Sequence, residues 1–217
     1  MKIEIKKKLT KQWFIKLQNI ICNSVEQLEK EYGSNIKFKK NTWRHGEFRT
    51  IKGEVIEKGS VAFSNVTGKF PIEFAKKIPG TKNNTNFWSS GVSVVFHTKN
   101  PKIPAMHFNT RFICTQKNWF GGGMDATPCL VDNEEKKYFH SKLKKMCNLH
   151  NKKYYSKYKK WCDEYFYLPH RKENRGIGGI FFDYKMDNWK NDFEFVKDVG
   201  ITFVDLFKKI IRKKMFL

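Results

Sequence analysis

Between Ser93 and Pro128 the chain sets polar, reactive side chains at every second position of segments that otherwise read as buried strand. Successive side chains on a strand point to opposite faces. In Ser93-Val94-Val95-Phe96-His97, Ser93, Val95 and His97 share one face and Val92, Val94 and Phe96 the other. In Met106-His107-Phe108-Asn109-Thr110-Arg111-Phe112, one face carries His107, Asn109 and Arg111, against Met106, Phe108, Thr110 and Phe112. The turn through Asn100-Pro101 and Pro104 is short enough for antiparallel pairing. With the faces aligned, the polar residues converge where an ordinary core strand would carry Val or Ile. Histidine titrates nearest to working pH and suits proton transfer. Guanidinium forks bind carboxylates through paired, charge-assisted bonds, which gives Arg111, Arg171 and Arg175 a use with an anionic substrate. The expectation is one concave site made by His97, His107, Asn109, Arg111 and Asp125, with Ser93 at its edge.

The elements that must position these groups are read from periodicity. Trp13, Phe14, Leu17, Ile20, Ile21, Val25 and Leu28 recur at helical spacing from Thr10 to about Tyr32, with Gly33 as C-cap. Residues 36 to 43, about 48 to 57 and 60 to 68 read as short strands. Asp132 with Glu135 makes a capping box for a helix that contains His140. A second helix runs from about Lys152 to Tyr167 on an aromatic stripe, and Pro169 stops it. The charged loop His170 to Gly179 then enters the strand Ile180-Phe181-Phe182-Asp183, and a last amphipathic helix covers about Asn191 to Arg212.

The 217 residues, 40% hydrophobic and 16% aromatic, suffice for one domain with one core. Five scattered cysteines without a Cys-x-x-Cys pair give no zinc or redox motif and fit a reducing cytoplasm. No apolar run is long enough to span a bilayer, so the chain reads as soluble and cytoplasmic. The formal charge of +22 comes from lysines spread along the whole chain, which argues for a solvated basic surface rather than a nucleic-acid interface.

The run from Lys160 to Asp183, Lys-Trp-Cys-Asp-Glu-Tyr-Phe-Tyr-Leu-Pro-His-Arg-Lys-Glu-Asn-Arg-Gly-Ile-Gly-Gly-Ile-Phe-Phe-Asp, resembles the signature of oxygen-dependent coproporphyrinogen-III oxidases. Ser93 to Pro128 is similar to that family's other hallmark, down to Asn100-Pro101, His107-x-Asn109-x-Arg111 and the triple glycine before Asp125. The resemblance implies a single α+β domain, an antiparallel sheet flanked by helices on both faces, usually in a homodimer. It implies an oxidoreductase of haem biosynthesis that uses molecular oxygen to turn two propionates of coproporphyrinogen III into vinyl groups. The products are protoporphyrinogen IX, carbon dioxide and hydrogen peroxide. His107 matches the family's proposed proton donor, and Ser93, Asn109, Thr110 and Arg111 match substrate contacts. Asp125 is placed to accept from pyrrole N–H groups and to stabilise positive charge on an oxidised ring. His97, His107, His140 and His170 match positions assigned to a divalent metal in some members, while others are described as needing none. Lying on two strands, a helix and a loop, they are not expected to form a compact tetrahedral site.

The chain departs from the family at Trp43 to Arg49, which keeps one glycine of a usual glycine-rich loop, and at Ala126-Thr127-Pro128-Cys129. It also ends at Leu217, before the arginine-, tyrosine- and glycine-containing segments with which family members continue. This reads as a C-terminally truncated domain over 1–217. The expectation is an exposed sheet edge, an unpartnered tail Met215-Phe216-Leu217, and a product that is poorly soluble or monomeric and slower than an extended version. The alternative to an active oxidase is a dead homologue that keeps the fold and at most binds porphyrinogen.

Overall fold

The computed structural model describes residues 1–215; Phe216 and Leu217, part of the tail read as unpartnered, lie outside the described residues. The alternating segments form the middle of a seven-stranded antiparallel sheet, so the α+β expectation holds. Six strands follow one another as neighbours: β1 (Lys39–Trp43), β2 (Gly46–Ile51), β3 (Ile56–Lys69), β4 (Asn86–Thr98), β5 (Ala105–Cys114) and β6 (Asn118–Thr127). β9 (Gly178–Lys185) adds to β6 as the far edge. Before it the chain makes α3 (Asn133–His150), α4 (Tyr154–Tyr165) and a small hairpin of β7 (Tyr167–Leu168) and β8 (Glu173–Asn174). Long helices α1 (Ile3–Glu31) and α5 (Trp189–Lys214) open and close the described chain, and α2 (Ile72–Ala75) is a single turn.

The period-two pattern decides which face the helices take. Phe96 of β4 stacks on Phe207 of α5 with ring centroids 4.8 Å apart, and Phe108 of β5 stacks on Phe203 at 5.0 Å. α1 packs beside α5 on this same face, where Leu17 comes so close to Gly200 that a Cβ there would lie 2.8 Å from Leu17 Cδ2. α4 lies against β9, with Tyr158 facing Phe182 on the covered side. Its last turn reaches round the sheet edge, where Tyr165 stacks on Phe181 with centroids 4.2 Å apart. That contact is the helical cover on the opposite face, so the face carrying His107, Asn109 and Arg111 stays open beyond it.

α1 begins at Ile3 rather than near Thr10. Its extra turns, Ile3 to Leu9, carry three consecutive lysines, good helix formers, and their apolar residues Ile3, Ile5 and Leu9 stay exposed and add nothing to the buried stripe. Asp132 caps α3 as expected, accepting from the backbone N–H of Glu134 (2.9 Å) and Glu135 (3.0 Å). The Glu135 carboxylate instead pairs with Lys214 of α5 at 2.9 Å.

The β2–β3 turn is fixed from α1. Glu29 is fully buried and accepts from the backbone N–H groups of Glu54 (2.7 Å), Val55 (3.1 Å) and Ile56 (2.8 Å). Buried donors left without partners cost about 1–3 kcal/mol each. Glu29→Ala is therefore expected to destabilise the fold by about 3 kcal/mol or more, and Glu29→Gln, which keeps an acceptor, by clearly less. Urea midpoints of the two variants check it, and equal losses would show that the carbonyl-like oxygen contributes nothing.

Candidate active site

Strand register assembles the site. His107 of β5 stands opposite Asp125 of β6 and Val95 of β4. One row along, Asn109 stands between Gly123 and Ser93, and the next row sets Arg111 between Gly121 and Gly91. The row positions on β6 are thus Asp125 and two glycines, which leave a shelf beside the polar side chains of β5. At Gly123 the requirement is conformational. Its φ is +157°, and a Cβ there would lie 2.2 Å from the Ile180 carbonyl oxygen on β9. At Gly121 it is chemical, because a Cβ would lie 2.4 Å from Asp183 Oδ1 and displace an ion pair that crosses the strand.

The charges on the shelf are matched in pairs. Asp125, nearly buried, accepts a fork from Arg175: Nε donates to Oδ2 at 3.1 Å and Nη2 to Oδ1 at 2.8 Å. The Arg175 guanidinium lies 3.7 Å from the centre of the Phe166 ring, which holds the fork from its other side. Arg111 Nη2 donates to Asp183 Oδ2 at 2.7 Å and Nη1 to Asn109 Oδ1 at 3.1 Å, leaving N–H groups for an incoming carboxylate. His107 Nδ1 sits 3.4 Å from Asp125 Oδ2 and, buried, makes no hydrogen bond among the described residues. A cavity of about 290 Å³ opens over this constellation, lined by Ser93, His107, Asn109, Arg111, Asp125 and Arg175, with Tyr165, Phe166 and Phe181 as an aromatic wall.

Not every residue singled out above lies here. His97 lines a neighbouring cavity of about 910 Å³ that meets the first at Val95, and its ring centroid is 6.3 Å from that of His107. The Thr110 side chain lies on the helix-covered face and is buried there. Arg171, in the exposed turn of the β7–β8 hairpin, pairs with Glu173 at 2.7 Å and lines neither cavity. Asp183, Tyr165, Phe166 and Phe181 were not singled out. Extending the alternation into β9 puts Phe181 and Asp183 on the shelf face, whereas Tyr165 carries no such mark within an aromatic helix.

The four histidines do not fit a shared metal. His140 has both ring nitrogens engaged, Nε2 with the Ile177 carbonyl at 2.8 Å and Nδ1 with the Tyr155 hydroxyl at 3.1 Å. His170 is in the exposed hairpin turn. Among the described residues no three His, Cys, Asp or Glu side chains are grouped to hold a metal ion. No helix among them is long and apolar enough to cross a membrane.

His140 braces the loop that presents Arg175, since Ile177 also donates to the Ala126 carbonyl at 3.0 Å. Burial holds the His140 pKa below the ordinary histidine value, against the pull of the Ile177 carbonyl. An unfolded histidine titrates near about 6.5 and so binds more protons than the folded one below that pH. The contribution of His140 is complete above about 6.5 and is lost as pH falls from there through the lower folded-state pKa. The stability advantage of the wild type over His140→Gln is expected to shrink below about pH 6.5, by at most about 1.4 kcal/mol per pH unit. Urea denaturation at a series of pH values measures it, and a constant difference would show that folding leaves the His140 pKa where it lies in the unfolded chain.

Residues 9–216 match the family model described as coproporphyrinogen III oxidase. An oxygen-dependent coproporphyrinogen-III oxidase of Rickettsia akari (strain Hartford) is 45% identical, over 100% of the chain and 81% of the relative. Those of Rickettsia rickettsii (strain Sheila Smith) and Rickettsia bellii (strain OSU 85-389) are each 44% identical, over 97% of the chain and 80% of the relative.

Proposed function

The chain belongs to the coproporphyrinogen III oxidase family, and from that premise we propose that its open sheet face is where coproporphyrinogen III is oxidatively decarboxylated by molecular oxygen. Each of two propionates, with O2 and one proton, gives a vinyl group, CO2 and H2O2. The bond from the propionate α-carbon to its carboxyl carbon breaks, and a hydride equivalent leaves the carbon next to the ring. Oxygen receives those two electrons. The product is protoporphyrinogen IX, an intermediate of haem synthesis.

The observation that carries this reading is the shelf: a buried carboxylate with a histidine beside it and an arginine two rows away, next to strand positions stripped of side chains. Asp125 keeps free lone pairs after accepting the Arg175 fork. It accepts pyrrole N–H groups of the macrocycle and stabilises the positive charge that builds on the ring as the hydride departs. The free N–H groups of Arg111, fixed by Asp183 and Asn109, hold the reacting propionate over the shelf. His107, with Nδ1 toward Asp125, delivers the proton that completes hydrogen peroxide. Tyr165 and Phe181 exclude water on one side.

The homodimer and the cytoplasmic setting implied by the resemblance form part of the same reading, and the mass of the protein in solution tests the first. For the activity, purified protein is mixed with coproporphyrinogen III with and without oxygen. Protoporphyrinogen and peroxide are expected in equal steps of two peroxides per macrocycle, in oxygen only. Binding without turnover in oxygen would overturn the reading and leave a binding protein.

A further inference from the structure

The cavity over Asp125 is too small for its proposed occupant. At about 290 Å³ it lies at the lower limit for sites that take drug-sized ligands, and a tetrapyrrole with four propionate arms exceeds it. Arginine is also in short supply. Arg111 and Arg175 are already paired with Asp183 and Asp125, and one of them serves the reacting arm. The remaining carboxylates need cations that have no partner yet.

The shelf continues in one direction. Across β4 the register runs from Val95 to Ser60 of β3 and on to Thr50 of β2 and Lys39 of β1, while Lys58 stands opposite His97. These residues line the cavity of about 910 Å³ that meets the first at Val95. Lys52 and Lys37 complete a basic rim, with Glu57 as its carboxylate. Lys37 is spoken for by Glu26 at 2.9 Å. No ion pair engages Lys39, Lys52 or Lys58 among the described residues. Strands about 4.8 Å apart put β3 roughly 14 Å from β6, on the scale of the width of a tetrapyrrole.

We infer that Lys58, with Ser60 and Thr50 beside it, forms a second carboxylate subsite that holds the propionates at the far side of the macrocycle while the reacting ring lies over Asp125. The inference rests on the proposed function and names where the rest of that substrate goes. Lys58 is a binding residue, a point charge on a flexible stem, and either arm of the distal pair can reach it. Lys39, two strands farther, is a rim charge.

The test uses the full chain and equilibrium binding of coproporphyrin III, the stable oxidised tetracarboxylate, followed by its fluorescence, with turnover of coproporphyrinogen III measured in parallel. Lys58→Glu is expected to weaken binding at least tenfold and to raise KM similarly, with kcat within about twofold of wild type. Lys58→Arg should bind like wild type. Lys209→Glu, on the exposed face of α5, changes net charge equally and should weaken binding less than twofold. Equal effects of Lys58→Glu and Lys209→Glu, with wild-type binding and turnover intact, would overturn the subsite and leave the function standing. A wild type that neither binds the porphyrin nor turns over would overturn the function, and the subsite with it.

Discussion

Asp125→Asn is expected to lower kcat/KM for coproporphyrinogen III by about 100- to 1,000-fold, the range found when one preorganised group facing developing charge is removed. The substitution preserves shape and one acceptor oxygen but removes the negative charge that meets the ring at its most oxidised. The side chain is nearly buried and belongs to a hydrogen-bonded fork, so it is already oriented before substrate arrives. The partner left behind is tolerable: the Arg175 side chain retains 31% of its exposure and its contact with Phe166, so it stays hydrated. Loss of rate therefore need not mean loss of fold, and a melting curve close to that of wild type would separate the two. Substrate binding should weaken far less than kcat falls, because N–H groups still find one amide oxygen. Activity of Asp125→Asn within fivefold of wild type would remove Asp125 from the chemistry. His107, 3.4 Å away, would then have to act without a carboxylate beside it.

The core of this site was legible because a strand has period two. His107, Asn109 and Arg111 could share a face only if Phe108 and Thr110 took the other, and Phe108 does stack on α5. The same rule placed Thr110 among the buried residues, yet the family likeness added it as a substrate contact, and its side chain lies with Phe108. Short-range signals of this kind do not give pairing partners. Asp183 lies 72 positions from the arginine that it neutralises, and the hairpin of β7 and β8 turns Arg171 outward to Glu173 while carrying Arg175 inward to Asp125. Two arginines four apart in one loop are indistinguishable by composition, and their roles are set by a turn in which Lys172 takes a positive φ of 53°. His97 shows the same limit on a smaller scale. It shares its face with Ser93 and Val95, but Val95 stands at the junction of the two cavities and leaves His97 on the far side of it.

The second large effect is on stability and comes from a buried ion pair remote from the shelf. Lys185, at the end of β9, meets Asp192 in the first turn of α5 at 2.8 Å, and both side chains are 2% exposed. The ammonium also donates to the Tyr154 hydroxyl at 2.6 Å and lies 4.3 Å from the centre of that ring. Asp192 accepts from the backbone N–H of Asn188 at 3.0 Å, and an acidic group there also complements the helix dipole. Strand, helix and α4 are thus joined by one charge pair. Burial pulls the Lys185 pKa down, but the bonds to Asp192 and Tyr154 outweigh it and hold it above the ordinary lysine value. A lysine raised in the folded state contributes fully below its unfolded pKa, about 10.4, and loses that contribution only as pH rises through the higher folded value. The pair is accordingly intact throughout the physiological range. Removing Lys185 strands the Asp192 charge in the interior, at a cost of about 3–5 kcal/mol, whereas without Asp192 the ammonium keeps the exposed Asp187 carboxylate at 3.3 Å. Lys185→Met is therefore expected to lower Tm by roughly 6–20 °C, since about 1 kcal/mol shifts a chain of this size by about 2–4 °C. Asp192→Asn alone should cost less, because Asp187 still engages the ammonium. Lys185→Met with Asp192→Asn removes both charges while keeping an acceptor for Asn188, and should recover more than half of the loss. Thermal melts of the three variants at neutral pH decide it. If the two single losses simply added in the double variant, Lys185 and Asp192 would be acting independently, and the joint between β9 and α5 would rest on its aromatic packing instead.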